Sequence, residues 1–175
     1  MWRRTAQAEL FRQWQGRLEA PSAGQRTIEA IRPVLQQWVK RKHGTLTFHL
    51  AQVLSGHGCF GRYLFKVAGR EPTEVCHECG CATDTAQHTL ADCPKWAESR
   101  KALVATVGQD LSLPAVVRAM VGSDRSWEAV VSFCEDVMVQ KELAERLRED
   151  DVDSNPLRRR RVGRRQLAHN RRLPP

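Results

Sequence analysis

The chain has 175 residues, 41% apolar and 27% charged, with a mean hydropathy of −0.51 and a formal net charge of +8. That is the size of one domain with appendages, long enough to bury a core, and no apolar run approaches the roughly 20 residues that span a bilayer. Met1 to Glu9 lack the apolar stretch and small-residue cleavage site of a secretory signal, so an intracellular protein without a membrane partner is expected.

Hydrophobic spacing is helical nearly everywhere, with no run of alternating strands, and predicts an all-α fold. Leu10, Phe11, Trp14 and Leu18 mark a first amphipathic helix, stopped by Pro21 and Gly24. Ile28, Ile31, Leu35, Trp38 and Val39 continue the period across Pro33, where a kink or break is expected, and the segment ends at Gly44. Leu46, Leu50, Val53 and Leu54 mark a third helix closed by Gly56, and Phe60, Tyr63, Leu64 and Val67 a short fourth before Gly69. Pro94 suits the first position of a helix running to Gly108, with Cys93 capping it and Trp96, Leu103, Val104 and Val107 on its buried face. A short helix from Pro114 to Val121 ends at Gly122. Ser126 opens the longest pattern, whose apolar stripe is Trp127, Val130, Val131, Cys134, Val137 and Met138. From Lys141 to Asp151 only Leu143 and Leu147 remain to bury, so that end is expected to project or fray.

Charge is segregated along the chain. Residues 1–70 carry 12 basic and 3 acidic side chains, residues 71–155 carry 8 and 17, and residues 156–175 carry 8 and none. The chain therefore reads as a basic helical region (1–70), a zinc-binding module (71–96), an acidic helical region (97–151) and a disordered Arg-rich tail (152–175). Basic surface at both ends suits a polyanion; nucleic acid is the expected one, although an acidic protein or an anionic membrane surface satisfies the same arithmetic. In the tail, Arg158, Arg159, Arg160, Arg161, Arg164 and Arg165 form a nuclear import signal or a nucleic-acid-binding arm, or else simply a solvated tail. Lys40, Arg41 and Lys42 form either a phosphate-contacting edge or cations placed favourably at a helix C-terminus. The acidic middle would repel a polyanion unless its charge faces away.

The cysteines carry the most specific signal. Reduced compartments disfavour a disulfide framework, whereas Cys76-x2-Cys79-x8-His88-x4-Cys93 has the form of a site with three thiolates and one imidazole for Zn2+. Gly80 directly after Cys79 suits the tight turn that a C-x2-C pair requires. His88 and Cys93 lie five residues apart, about 140° around a regular helix, so the helix bearing His88 must end before Cys93. Pro94 supports that break, and Asp84 or Thr85 can cap the helix at its start. Four ligands with no open position describe a structural metal. Cys81 is an alternative to Cys79; His77 is expected to point outward, and His43, His49, His57 and His169 to lie on the surface or pack between helices. Cys59 and Cys134 read as small apolar side chains.

Cys76-His77-Glu78-Cys79 shares only residue types with the His-x-Glu and Pro-Cys-x-x-Cys motifs of a zinc deaminase. No Gly-rich phosphate loop, His-Glu-x-x-His helix or Gly-x-Ser-x-Gly elbow occurs, and a non-enzyme is expected.

Leu54-Ser55-Gly56-His57-Gly58-Cys59-Phe60-Gly61-Arg62-Tyr63-Leu64, then Cys76-His77-Glu78-Cys79-Gly80, then Thr85-Ala86-Gln87-His88-Thr89-Leu90-Ala91-Asp92-Cys93-Pro94, together resemble the region after the polymerase domain in reverse transcriptases of non-LTR retrotransposons, most closely the type-one retrotransposable elements of arthropods. The resemblance extends through Trp127-Glu128-Ala129-Val130 to the terminal arginines. It implies the C-terminal zinc-binding segment of a polyprotein, with Cys76, Cys79, His88 and Cys93 as ligands, that helps hold template RNA or target DNA. The polymerase's paired aspartates and the endonuclease are absent from this stretch, so no polymerase activity is expected of it. A zinc-organised protein-interaction module docking through the helix at 126–151 is the alternative.

Overall fold

The computed structural model describes residues 2–151, 153 and 155–158. Among them every regular element is helical and no strand occurs. The main helices are α1 (Trp2–Arg17), α2 (Gln25–Ile31), α3 (Leu35–Lys40), α4 (Phe48–Ser55), α5 (Gly61–Tyr63), α6 (Ala97–Val107), α7 (Leu113–Gly122) and α8 (Asp124–Asp150). The expected break at Pro33 is a single 3₁₀ turn, Arg32–Val34, joining α2 to α3. Proline supplies no N–H for the helical ladder, so a tighter turn bridges the gap.

The spine of the molecule is α8, against which α4, α6 and α7 pack, while α2 lies on α7. Its first turn is closed by Ser123, whose Oγ accepts the Ser126 N–H at 3.1 Å, a cap that contributes roughly 1 kcal/mol. The expected stripe is real: Trp127, Val130, Cys134, Val137 and Met138 are buried. They meet Leu50, Val53 and Leu54 of α4 and Val116, Val117 and Met120 of α7 in one continuous cluster. That cluster also takes in Cys76, Leu90, Cys93 and Trp96, so the cysteine segment is built into the same core as the helices before and after it.

The link between α3 and α4 is held by stacked charge and rings. The Arg41 guanidinium lies 4.5 Å from the Trp38 ring and 4.4 Å from Trp127, and Trp127 Nε1 donates to the Thr45 carbonyl at 3.1 Å. Thr47 then caps α4 by accepting the Leu50 N–H. The third helix thus begins at Phe48, and Leu46, ahead of the cap, is exposed.

The charged half of α8 departs from expectation. Leu143 and Leu147 are 57% and 66% exposed, whereas Lys141 and Glu145 are 1% and 3% exposed. The helix runs unbroken to Asp150. Its buried stripe keeps helical spacing through 134, 137, 138, 141 and 145, and charged side chains fill the last two places because Glu78 and Asp84 on the cysteine segment pair with Lys141 and Arg148, one turn on in α8, pairs with Glu145.

A second charged contact joins α4 to α8. His49 Nδ1 lies 2.5 Å from Glu135 Oε2, and its Nε2 3.5 Å from Glu142 Oε1. Burial works against the charged ring, but the two carboxylates outweigh it and raise the His49 pKa. Hydrogen bonds from Thr47 and His49 hold the Glu135 carboxyl below its ordinary value. A raised histidine contributes stability that is complete below its unfolded value of about 6.5 and fades as pH rises through its folded value. Replacing His49 by Gln is therefore expected to lower the midpoint of chemical denaturation at about pH 6 and to matter progressively less towards about pH 9. An effect constant across that range would show that the ring serves packing alone.

Candidate metal centre

The cysteine loop is shaped by backbone hydrogen bonds. Cys76 N–H donates to the Cys81 carbonyl at 2.8 Å, and Gly80 N–H to the Cys76 carbonyl at 2.7 Å. Gly80 adopts φ +76° to close this turn, a conformation that costs side-chain-bearing residues about 1 kcal/mol or more. The turn aims the N–H groups of Glu78 and Cys79 at the Cys76 sulfur. Cys93 receives the Lys95 N–H in the same way. Donors on a sulfur favour its thiolate form, the form that binds metal.

His88 is delivered by a short helix whose start is capped by Thr85, with Oγ1 accepting the His88 N–H at 3.0 Å. Asp84, the other candidate cap, is engaged elsewhere. The 140° offset between His88 and Cys93 disappears because His88–Asp92 is a π-helical turn. In it the Cys93 N–H donates to the His88 carbonyl at 2.7 Å, and this i→i+5 closure brings residues five apart onto one side. Cys93 itself leaves helical geometry at φ −59°, ψ 119°, immediately before Pro94.

The four side chains meet. Cys79 Sγ is 3.3 Å from His88 Nε2, Cys76 Sγ is 4.0 Å from Cys93 Sγ, and all four ligand atoms lie within 4.8 Å of one another. Sulfurs about 2.3 Å from a tetrahedral ion sit about 3.8 Å apart, so little movement is needed to hold one. Cys76 and Cys93 are wholly buried, His88 is 9% exposed, and burial pushes the Cys76 and Cys93 thiols up. Three sulfurs and one imidazole can hold a metal ion and complete its shell, leaving no position for substrate or water. Cys81, the alternative ligand, is exposed and contributes only its carbonyl.

A second tier of residues positions this set. Lys141 Nζ, buried on α8, lies 2.9 Å from Glu78 Oε2 and 3.0 Å from Asp84 Oδ2. Burial works against the charged ammonium, but the two carboxylates outweigh it and keep its pKa above the ordinary value. Glu78 Oε2 also faces Cys76 Sγ at 3.3 Å. Asp84 accepts the Gly61 N–H at 3.0 Å and the Thr89 hydroxyl at 3.3 Å. Gly61 sits so close to the loop that a Cβ there would stand 2.8 Å from the Glu74 and Val75 carbonyl oxygens. From α6, Arg100 donates to the carbonyls of Leu90, Thr89 and Cys93 at 2.8, 3.1 and 2.8 Å, satisfying the groups that the end of the His88 helix leaves open. Sequence reasoning missed Lys141 and Arg100. The signal for Lys141 was its position, one turn beyond Val137 and Met138 on the buried stripe.

The basic residues singled out from sequence are placed less uniformly. Lys42 is exposed, and Lys40 is exposed with its Nζ 5.1 Å from the Phe11 ring centroid. Arg41 is committed to the two tryptophan rings. Arg158 is 8% exposed and bonded to Glu71 Oε1 at 2.5 Å and His77 Nε2 at 2.9 Å. Arg159, Arg160, Arg161, Arg164, Arg165 and His169 lie outside the described residues, as does the rest of the tail expected to be disordered (152–175) apart from 153 and 155–158, where Pro156–Arg158 forms a 3₁₀ turn.

Comparison with known proteins adds one relative. The chain is 30% identical over 125 residues, 69% of its length, to the retrovirus-related Pol polyprotein from a type-1 retrotransposable element of Nasonia vitripennis. The chain is thus related to retrotransposon proteins. The match spans 30% of that polyprotein, so the chain corresponds to under a third of it. No protein-family model and no solved structure matches the chain.

Three substitutions test the centre. Lys141→Met would strand two buried carboxylates and is expected to cost about 3–5 kcal/mol in denaturant unfolding, while a loss under about 1 kcal/mol would show the pair to be dispensable. Cys81→Ser should leave the charge-transfer spectrum of the cobalt-loaded protein intact, and Cys79→Ser should abolish its tetrahedral signature; the reverse pattern would reassign the ligand.

Proposed function

We propose that this retrotransposon-related chain is a zinc-stabilised nucleic-acid-binding fragment of a reverse transcriptase polyprotein, holding template RNA or target DNA and carrying no polymerase activity of its own. The observation that carries the reading is the closed set of Cys76, Cys79, His88 and Cys93. Sulfur and imidazole in a tetrahedron suit zinc among the common divalent metals. A complete shell makes that ion a fastener, because catalysis would need a free coordination position.

Charge supplies the rest of the argument. The two ends of the chain, residues 1–70 and 156–175, are strongly basic, and arginine side chains bind phosphate with paired, charge-assisted hydrogen bonds. Lys40 and Lys42 offer cations on the folded part, and the arginines of 159–165 extend the positive field. The same run suits a nuclear import signal, and the remainder of a Pol polyprotein is a natural partner in the nucleus.

A second reading rests on α8. Val139, Leu143 and Leu147 are 52%, 57% and 66% exposed, and their four-residue spacing puts them on one stripe that a protein partner could cover.

Metal analysis with gel shifts over a salt series separates the two. The first reading expects about one zinc per chain and RNA or DNA binding that weakens roughly tenfold or more between 50 and 200 mM salt, with Cys76→Ser losing both metal and binding. Binding to a protein that ignores salt, with no retention of nucleic acid, would select the second. A well-folded protein free of metal would remove the premise of both.

A further inference from the structure

A groove of about 430 Å³ opens beside the metal centre, walled by α2, α4 and α5 and by the start of the His88 helix. Three cations line it, Arg26, Arg62 and Lys66, together with His57, Tyr63 and Thr85, and no carboxylate does. Glu74 behind the wall pairs with Lys66 at 2.7 Å and approaches Arg62 at 3.8 Å, so three positive charges face one negative. Arg26 is the unusual member. It is partly buried, its guanidinium donates to the neutral Gln87 side chain at 3.2 Å, and no carboxylate among the described residues pairs with it. Burial weakens its hold on its proton. A desolvated guanidinium without an anion is costly unless a ligand supplies one.

Two rings complete the wall. His57 and Tyr63 stand edge to face with centroids 4.9 Å apart, and His57 is exposed. Both belong to the 54–64 segment for which no role has yet emerged beyond the packing of Phe60, Gly61 and Leu64. Cations with no lining acid select phosphate, an adjacent aromatic selects a base, and a pocket of this size admits a splayed-out nucleotide but not a paired duplex.

We infer that this groove is a track for single-stranded nucleic acid, with a backbone phosphate among Arg26, Arg62 and Lys66 and a base against Tyr63. The inference rests on the nucleic-acid-binding reading above and deepens it by naming the site and the strandedness.

The test is fluorescence anisotropy of the full chain with a labelled 12-nucleotide single strand and a duplex of equal length, over a salt series. Single strand should bind tighter than duplex. Arg26→Gln and Lys66→Gln should each weaken single-strand binding about three- to tenfold and reduce the salt slope by about 0.7, and Tyr63→Ala about tenfold. Arg12→Gln, on α1, should change nothing. Lys66 is half exposed, so its variant stays informative if Arg26→Gln fails to fold. Photocrosslinking of an iodouracil strand to wild type should map to residues 55–68 or to Arg26, Thr85 and Ala86 across the groove.

Crosslinks elsewhere, or folded groove variants that bind like wild type while a full-length protein with Arg159, Arg160, Arg161, Arg164 and Arg165 changed to Gln loses binding, would overturn the groove and leave the wider reading standing. Equal weakening by Arg12→Gln would overturn it too. Wild type that retains no nucleic acid at all would end the wider reading, and the groove with it.

Discussion

A single buried ammonium ties the molecule together. Lys141 is inserted from α8 between Glu78 and Asp84, and those carboxylates belong to the loop that presents Cys76 and Cys79. Through Asp84 the same charge reaches the Gly61 backbone and the Thr89 hydroxyl. An ion pair in a low-dielectric interior adds little net stability once desolvation is counted, but its geometry tolerates few alternatives. One side chain thus fixes the register of the longest helix against the cysteine loop and, by the same bonds, the seat of α5. Any other sliding position of α8 would leave a lysine or two acids buried without partners.

The metal-binding set then depends on two irregularities that regular secondary structure would forbid. A left-handed glycine at position 80 folds the C-x2-C turn, and the π turn at His88–Asp92 aligns an imidazole with a sulfur five residues on. Neither is stabilised by its own strand of chain alone. Arg100 occupies the carbonyls at the end of the π turn, and Leu90 and Trp96 bury the intervening apolar surface. The centre is organised by helices distant in sequence, as expected where outer-shell contacts orient ligands.

Much of this was legible in the residues themselves. The all-helical architecture follows from the spacing of Leu50, Val53 and Leu54, of Val116, Val117 and Met120, and of the α8 stripe. The cluster of Cys76, Cys79, His88 and Cys93 that could hold a metal ion follows from cysteine spacing. What misled was treating charge as a marker of solvent: Lys141 and Glu145 are core, Leu143 and Leu147 are surface, and the charged partners, Glu78 and Asp84 for Lys141 and Arg148 for Glu145, decide it. Arg41 and Arg158 show the same thing from the other side. A basic residue looks like a phosphate ligand in a sequence, and here tryptophan rings and Glu71 already occupy them. Pairwise partners distant along the chain leave no periodic trace, whereas apolar faces do. The groove with Arg26 is invisible for the same reason, since its cations come from two segments that a composition count treats as one basic block.

The Arg158 clasp has a geometric corollary. Its guanidinium is gripped by Glu71 and His77, and its carbonyl accepts from Arg70 at 3.2 Å, so the point from which residues 159 onward depart is pinned beside the cysteine loop. A fully stretched residue advances about 3.5 Å, which keeps Arg165, seven positions on, within a sphere of roughly 25 Å around that anchor. A ligand that engages those arginines must therefore come within that reach of the cysteine loop, so covalent length alone couples it to the folded body.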